Sequence, residues 1–205
     1  MDRPDAPLIW VRGKRAGLGP LRADLVPRYW EWENDPRAIL GYGRQVPDSL
    51  ENRTDGYGHQ VRSALNQLRF TVYDTQADPE PEPAGLATLL IDHQVRTAEY
   101  LILLAPEARG RGLATEATQL TIDYGFRVTA LRMIWLKVLE PNTPGIRAYT
   151  AAGFKPAGRL RQSGYWLGQP CDELIMDALP RGLPRNIPLH RLMSSPPQVR
   201  ATWSR

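Results

Sequence analysis

The stretch from Glu99 to Ala117 constrains the fold of this chain more than any other. An apolar strand with Tyr100, Leu101, Ile102, Leu103 and Leu104 runs into the turn Arg109-Gly110-Arg111-Gly112. That turn opens a helix at Leu113, Ala114 and Thr115. Gly110 and Gly112 lack a Cβ, so the backbone can turn tightly and a ligand can approach it. The first N–H groups of the helix have no intrahelical partner and, with the helix dipole, favour an anion, above all a phosphate. Arg109 and Arg111 add positive charge there. The dinucleotide fingerprint Gly-x-Gly-x-x-Gly is not met, because Thr115 holds the third glycine position, and the Gly-Lys-Ser/Thr of the phosphate loop is absent. The pattern reads as a pyrophosphate cradle, against the plainer reading of a strand-to-helix turn whose glycines serve geometry alone.

A strand, a helix and a second strand in succession imply a crossover and a parallel pair. Helical spacing over 114–128 puts Ala117, Leu120, Thr121 and Tyr124 on one face, and 133–139 is a short apolar strand. Elsewhere the signals are antiparallel. Residues 68–73 alternate, 85–92 and 96–104 meet across a turn at His93 and Gln94, and 154–163 and 171–178 form a closing hairpin across Gly168 and Gln169. Residues 8–11 read as a short strand before Arg12, Gly13 and Lys14. Helices are expected over 22–34, stopped by Asn34, Asp35 and Pro36, and from Asp48 or Ser49 to about 65, weakened or broken by Gly56 and Gly58. A loop with Gly41, Gly43 and Pro47 separates those two. Another helix is expected over 144–152, between Pro144 in its first turn and Gly153 at its C-terminal end. The expected fold is α/β: a mixed, mostly antiparallel sheet of about seven strands with one parallel pair and helices on both faces. It occupies 1–179, and a Pro- and Arg-rich tail fills 180–205.

With 205 residues, 42% hydrophobic and 23% charged, the chain can bury a core unaided, and a wholly disordered, collagen-like or coiled-coil chain is excluded. No apolar run approaches the ~18–20 residues that span a bilayer. The N-terminus, Met1-Asp2-Arg3-Pro4-Asp5, opens with an acidic residue and has no apolar core, so no secretory signal is expected. Cys171 is the sole cysteine, so there is no internal disulfide and no structural zinc site, and the expected compartment is the reducing cytoplasm. Lys14, Lys137 and Lys155 are the only lysines; so strong a preference for arginine suits a GC-rich bacterial genome. The net charge of +4 suits an anionic ligand but falls short of a nucleic-acid-binding stripe. The tail carries Arg181, Arg185, Arg191, Arg200 and Arg205 with no acid, which fits disorder, docking on a partner subunit or contact with an anion.

Arg109-x-x-Gly112-x-Ala114, after a strand with Glu99, Ile102, Ala105, Pro106 and Glu107, resembles the acetyl-CoA-binding motif of the GCN5-related N-acetyltransferases (GNAT). A second family motif follows: Asn142, then Arg147-Ala148-Tyr149, then Ala152-Gly153-Phe154. Gly164, Tyr165, Trp166, Gly168, Asp172 and Met176 are similar to the closing hairpin of the ribosomal-protein N-acetyltransferase branch, as are Trp32, Asn34, Asp35 and Pro36 to its early segment. The resemblance covers about 8–179. It implies that the parallel pair is splayed and that the pantetheine arm of acetyl-CoA, the acyl donor, lies in the gap, with no metal involved. Leu103, Leu104 and Ala105 would pair with that arm, and Asn142 would bond it or serve as a helix N-cap. The N–H groups of Arg109, Gly110, Arg111, Gly112, Leu113, Ala114 and Thr115 would hold the pyrophosphate. An N–H near Ile102 or Leu103 would face the thioester oxygen.

The implied reaction is direct attack of an amine on the thioester in a ternary complex. Glu99 is the candidate base, acting through water, or else an exposed charge at a strand end; His93 is the fallback. Tyr149 matches the family's general acid, or is a half-buried helix tyrosine packed on the sheet. Cys171 is no nucleophile, having no histidine near it in sequence. Trp30, Glu31, Trp32, Glu33 and Asp35, with Tyr42 and Arg44, would line the acceptor site through charge and cation–π contact, or form an ordinary amphipathic helix. Tyr165 and Trp166 would form the opposite wall. The expected acceptor is a small-molecule amine, such as an antibiotic or a biosynthetic intermediate. The alternatives are a protein N-terminus or a non-catalytic CoA-binding module. A second copy of the chain is a further candidate partner; membrane and nucleic acid are not expected.

Overall fold

The computed structural model describes residues 7–41, 46–62 and 66–182. Its strands are β1 (Val11–Arg12), β2 (Ala16–Gly19), β3 (Gln67–Asp74), β4 (Glu82–Asp92), β5 (Thr97–Leu104), β6 (Met133–Leu139), β7 (Lys155–Trp166) and β8 (Gln169–Ala178). They form one sheet in the order β1-β2-β3-β4-β5-β6-β8-β7. The β5–β6 pair is parallel, and the other pairs are antiparallel. The helices are α1 (Val26–Glu33), α2 (Pro36–Gly41), α3 (Leu50–Arg62), α4 (Leu113–Arg127) and α5 (Thr143–Ala152). None of the described helices is long and apolar enough to cross a membrane.

Successive residues of a strand point to opposite faces, and β3 shows which helices cover which. Phe70 packs its ring 5.2 Å from that of Tyr124 on α4. The next residue, Thr71, meets the Tyr29 hydroxyl of α1 at 2.6 Å. So α4 lies on one face of the sheet and α1 on the other. On β5, Tyr100 donates to Thr118 of α4 at 3.0 Å and stacks on Phe154, which places it on the α4 face. Alternation then turns Glu99, Leu101 and Leu103 toward α1.

The sheet has eight strands where about seven were expected, because β2 has no strand signature of its own. Ala16, Gly17, Leu18 and Gly19 are all buried, and Leu18 pairs with both Val11 and Val72. Their strand state comes from burial between neighbours, which local propensity does not report. The short first strand falls at Val11–Arg12 instead of 8–11, opposite Gly17 and Leu18. The helix expected over 22–34 begins as a 3₁₀ turn at Ala23–Leu25 and becomes α-helical at Val26, with Pro27 in its first turn. Asp35 caps the short helix α2 by accepting the Ala38 N–H at 3.1 Å, where a loop was expected. Helix α3 runs through Gly56 and Gly58 unbroken to Arg62; the expected continuation over 63–65 lies outside the described residues.

The turn between β1 and β2 is clamped to α4 by one carboxylate. Glu116 accepts the N–H groups of Lys14 at 2.8 Å, Arg15 at 2.6 Å and Ala16 at 2.9 Å. A Cβ on Gly13 would lie 2.7 Å from its Oε1, so only glycine fits beneath it. An acid in the first turn of a helix also complements the dipole.

At Gly85 strand β4 leaves no room for a side chain, since a Cβ there would lie 2.2 Å from the Leu103 carbonyl oxygen of β5. That contact is with backbone and cannot rotate away. Gly85→Ala is expected to destabilise by about 1–3 kcal/mol, as overpacking does, which lowers the melting temperature by roughly 2–4 °C per kcal/mol. A thermal melt of the variant checks this.

Candidate active site

The parallel pair stops early. Strand β5 pairs with β6 at Thr97↔Met133, Ala98↔Ile134 and Glu99↔Trp135 and no further. Beyond Glu99, β5 keeps its β4 partners as far as Leu104↔Gly85, while Leu136 to Leu139 of β6 pair with β8. The facing edges of the two strands therefore diverge, leaving strand edges that an extended, amide-bearing chain can join. Two groups at the end of this edge already have partners. The Ala105 N–H donates to Ala84 at 2.9 Å, and the Leu104 carbonyl accepts from Arg109 Nε at 3.1 Å and Nη2 at 3.0 Å.

The turn after β5 has the form the sequence suggests. Gly110 and Gly112 have φ of +73° and +79°, and Gly112 is the N-cap of α4. No side chain caps that helix, so its first N–H groups stay open to a ligand. The arginines do not point their charge where the sequence suggested. Arg109 pairs with Asp35 at 2.7 Å, and Arg111 pairs with the buried Asp74 at 2.7 Å. The donor set at the cradle is thus mainly backbone. Together, the diverging edges, the two left-handed glycines and the uncapped helix fit the pantetheine and pyrophosphate of acetyl-CoA.

Asn142 is the N-cap of α5, its Oδ1 accepting the Gly145 N–H at 3.1 Å, so the capping alternative holds. Tyr149, on α5, sets its ring edge-on to Tyr100 at 6.4 Å and to Phe154 at 6.2 Å. Tyr100 is the first residue of β5 past the last β6 pair, so Tyr149 stands at the mouth of the split on the α4 face. Desolvation pushes its phenol up to about 12. At Cys171 desolvation, with Glu173, Asp172 and Glu140, pushes the thiol up, which disfavours a nucleophilic thiolate.

The other face of the split opens into a pocket of about 230 Å³. Its floor is made of cross-strand neighbours: Leu86 opposite Leu103, Thr88 opposite Leu101, and Leu90, whose partner is Glu99. Arg69, opposite Thr88, closes one side, and Glu33 closes the α1 side. Glu33 is held by Arg53 of α3 at 2.7 Å; that guanidinium is 3% exposed and lies 5.5 Å from the Tyr29 ring centroid. Glu99 does not line the pocket, yet it sits on the same face at its edge.

Of the residues expected at the acceptor wall, Glu33 alone lines this pocket. Trp32 is 4% exposed and packs on Tyr29 in the core, because the inner stripe of α1 faces the sheet. The half-buried Trp30 donates its indole N–H to the Asp48 carbonyl at 2.6 Å. Glu31 faces solvent, and Asp35 is committed to α2 and Arg109. Tyr165 and Trp166, at the tip of the β7–β8 hairpin, do not line the pocket; Tyr165 is 55% exposed. Tyr42 and Arg44, like the tail from 183, lie outside the described residues. The sequence reading missed Arg69, Arg53 and the β4 leucines. The signal for Arg69 and the leucines was an alternation shared with any half-buried strand, and Arg53, on α3, carried none.

This architecture defines a class. The family model of the acetyltransferase (GNAT) domain matches residues 15–155, and the chain belongs to that family. It is similar to the spermidine N(1)-acetyltransferase of Escherichia coli (strain K12), at 34% identity over 155 residues, covering 74% of this chain and 79% of that protein. It is also 35% identical over 166 residues to an uncharacterized N-acetyltransferase p20 of Bacillus licheniformis, covering 78% and 88%. Among solved structures, the spermidine N-acetyltransferase from Vibrio cholerae in complex with CoA and spermine superposes with a TM-score of 0.75 at 24% identity, over 83% of this chain and 98% of that one. The chain is an acetyl-CoA-dependent N-acetyltransferase.

The raised Tyr149 pKa carries a stability consequence. A phenol that ionises near 10.0 when unfolded and about 12 when folded favours the folded state fully below pH 10. Across the interval to 12 the unfolded chain holds fewer protons, so that stability is lost as pH rises. Tyr149→Phe lacks this loss. Denaturant melts at pH 9 and pH 11 should show the wild type losing more stability than the variant.

Proposed function

We propose that this enzyme acetylates a small-molecule primary amine, which enters through the pocket between α1 and the sheet and attacks the thioester in the β5–β6 split. The observation that carries the reading is that the split and the pocket share a strand. Glu99 is the last β5 residue paired with β6, and it lies on the pocket face. Tyr149 stands at the same point on the opposite face. A base on the acceptor side and a hydrogen-bond donor on the leaving-group side is a division that suits direct attack. The similarity to spermidine N-acetyltransferases supports a small, cationic acceptor. Glu33 is the carboxylate that lines this pocket, where it shares its charge with Arg53. The catalytic domain takes in residues 1–179, ending just after β8, with 180–205 outside it.

Acetyl-CoA supplies an activated carbonyl and a thiolate leaving group. Glu99, acting through water, takes the proton that an alkylammonium of pKa ~10 still carries at neutral pH. Tyr149 stays protonated at any physiological pH. Against a thiol of pKa ~8.5, full proton transfer from a phenol near 12 would be uphill by about 5 kcal/mol. The amine nitrogen bonds to the carbonyl carbon, the C–S bond breaks and CoA leaves as a thiolate, which the Tyr149 hydroxyl stabilises by donating a hydrogen bond to the sulfur; the proton shed by the acetylated nitrogen passes to water. The N–H groups of Gly110, Arg111, Gly112, Leu113, Ala114 and Thr115 hold the pyrophosphate, that of Arg109 being taken by the Pro106 carbonyl at 3.4 Å, while Leu103, Leu104 and Asn142 face the pantetheine arm.

Thiol release measured with spermidine, spermine, simple monoamines and an N-terminal peptide tests the acceptor class. Turnover on small amines supports the reading, and turnover on the peptide alone overturns it. Tyr149→Phe is expected to lower kcat by about 10² with little change in acetyl-CoA affinity. Glu99→Gln is expected to lose rate most at pH 7 and to recover as pH approaches the pKa of the acceptor amine. A pH–rate profile parallel to that of the wild type removes Glu99 from the base role.

A further inference from the structure

A pyrophosphate and a ribose phosphate bring several negative charges to a cradle whose donors are mostly neutral N–H groups. The two arginines within the cradle already have acids, Arg109 with Asp35 and Arg111 with Asp74. Cations without an acidic partner among the described residues reach this place from a different part of the chain, the β1–β2 turn. Arg15 Nη1 donates to the Arg111 carbonyl at 3.2 Å, and a Cβ on Gly112 would lie 2.9 Å from that same nitrogen. Arg15 thus stands directly against the glycine that opens α4. One of its five N–H donors goes to Arg111, leaving the others. Lys14 is its neighbour, and both side chains are exposed.

The turn is fixed in place. Glu116 binds the Lys14, Arg15 and Ala16 N–H groups, and Gly13 admits no side chain beneath that carboxylate. Because Glu116 is engaged by backbone, it anchors the turn to α4 while the cationic side chains remain available. A rigid turn that holds an arginine against the cradle loses little entropy when it meets a phosphate.

We propose that the β1–β2 turn is a second wall of the CoA site and that Arg15 and Lys14 bind the phosphates of CoA. This inference rests on acetyl-CoA being the donor. It adds a source of charge some 95 residues before the glycine turn in sequence, by the separation of 96 between Arg15 and Arg111.

Calorimetric titration with CoA and with 3′-dephospho-CoA, at low and high salt, tests it on wild type, Arg15→Gln, Arg15→Lys and Lys14→Ala. Arg15→Gln is expected to weaken CoA binding by about tenfold, the loss of one charge-assisted contact. Arg15→Lys should recover part of this, and Lys14→Ala should weaken binding severalfold. The losses should shrink at high salt, where exposed charges are screened. A loss confined to CoA assigns the contact to the 3′-phosphate, and an equal loss with dephospho-CoA assigns it to the pyrophosphate; either supports the proposal. Full affinity in both Arg15→Gln and Lys14→Ala overturns it, as does a loss that ignores salt. Should Arg15→Gln melt early, Lys14→Ala still decides, because only the backbone of Lys14 touches Glu116. A wild type that binds neither nucleotide overturns the donor assignment itself, a result read before any variant is made.

Discussion

Everything the site does depends on β5 and β6 parting after three residue pairs. A continuous parallel pair would bury its own hydrogen bonds and leave no strand edge for a ligand. Here β5 holds to β4 along its whole length and β6 holds to β8, so each strand is supported on its outer side as the two diverge. Unpaired edges inside a sheet are costly, and they persist because the rest of the fold over-determines both strands. The split also sets the polarity of the site. Alternation along β5 sends Leu101 and Leu103 to the pocket, with Glu99 on the same face at its edge, and turns Tyr100 toward α4 and Tyr149 of α5.

Ion pairs then fasten the movable pieces to this frame. Asp35 caps α2 and pairs with Arg109, whose guanidinium also covers the last carbonyl of β5, so the α1–α2 corner is tied to the donor strand. Asp74 draws Arg111 to the end of β3, and Glu116 fixes the β1–β2 turn on α4. Arg53, nearly buried, holds Glu33 at the pocket wall. Removing one partner of the Arg53–Glu33 pair would leave an uncompensated charge, so this pair defines geometry more than it adds net stability.

Much of the frame was legible because local chemistry dictates it. The glycines at 110 and 112 take up the left-handed backbone their position requires, Asn142 caps α5, and 133–139 is a strand with those bounds. The misses differ in cause. Strand β2 is built from alanine, glycine and leucine and owes its state to neighbours distant in sequence, whereas helix α2 rests on a local signal, the Asp35 cap before Pro36, that the sequence reading missed. Trp32 was as good a candidate for the acceptor wall as Glu33 until α1 acquired an orientation, and one helical step separates a core side chain from a pocket side chain.

The sequence by itself determined the family and the donor chemistry, since a strand, a glycine turn and an uncapped helix are local features whose backbone geometry follows from residue type. Only the tertiary structure decided which charges are paired with acids and which stand at the cradle. Arg109 and Arg111 look like phosphate ligands on paper, yet Asp35 and Asp74 reach them first, and Arg15 stands at the cradle from the far end of the sheet. Coulombic partnership depends on distance in space, which a linear pattern does not encode.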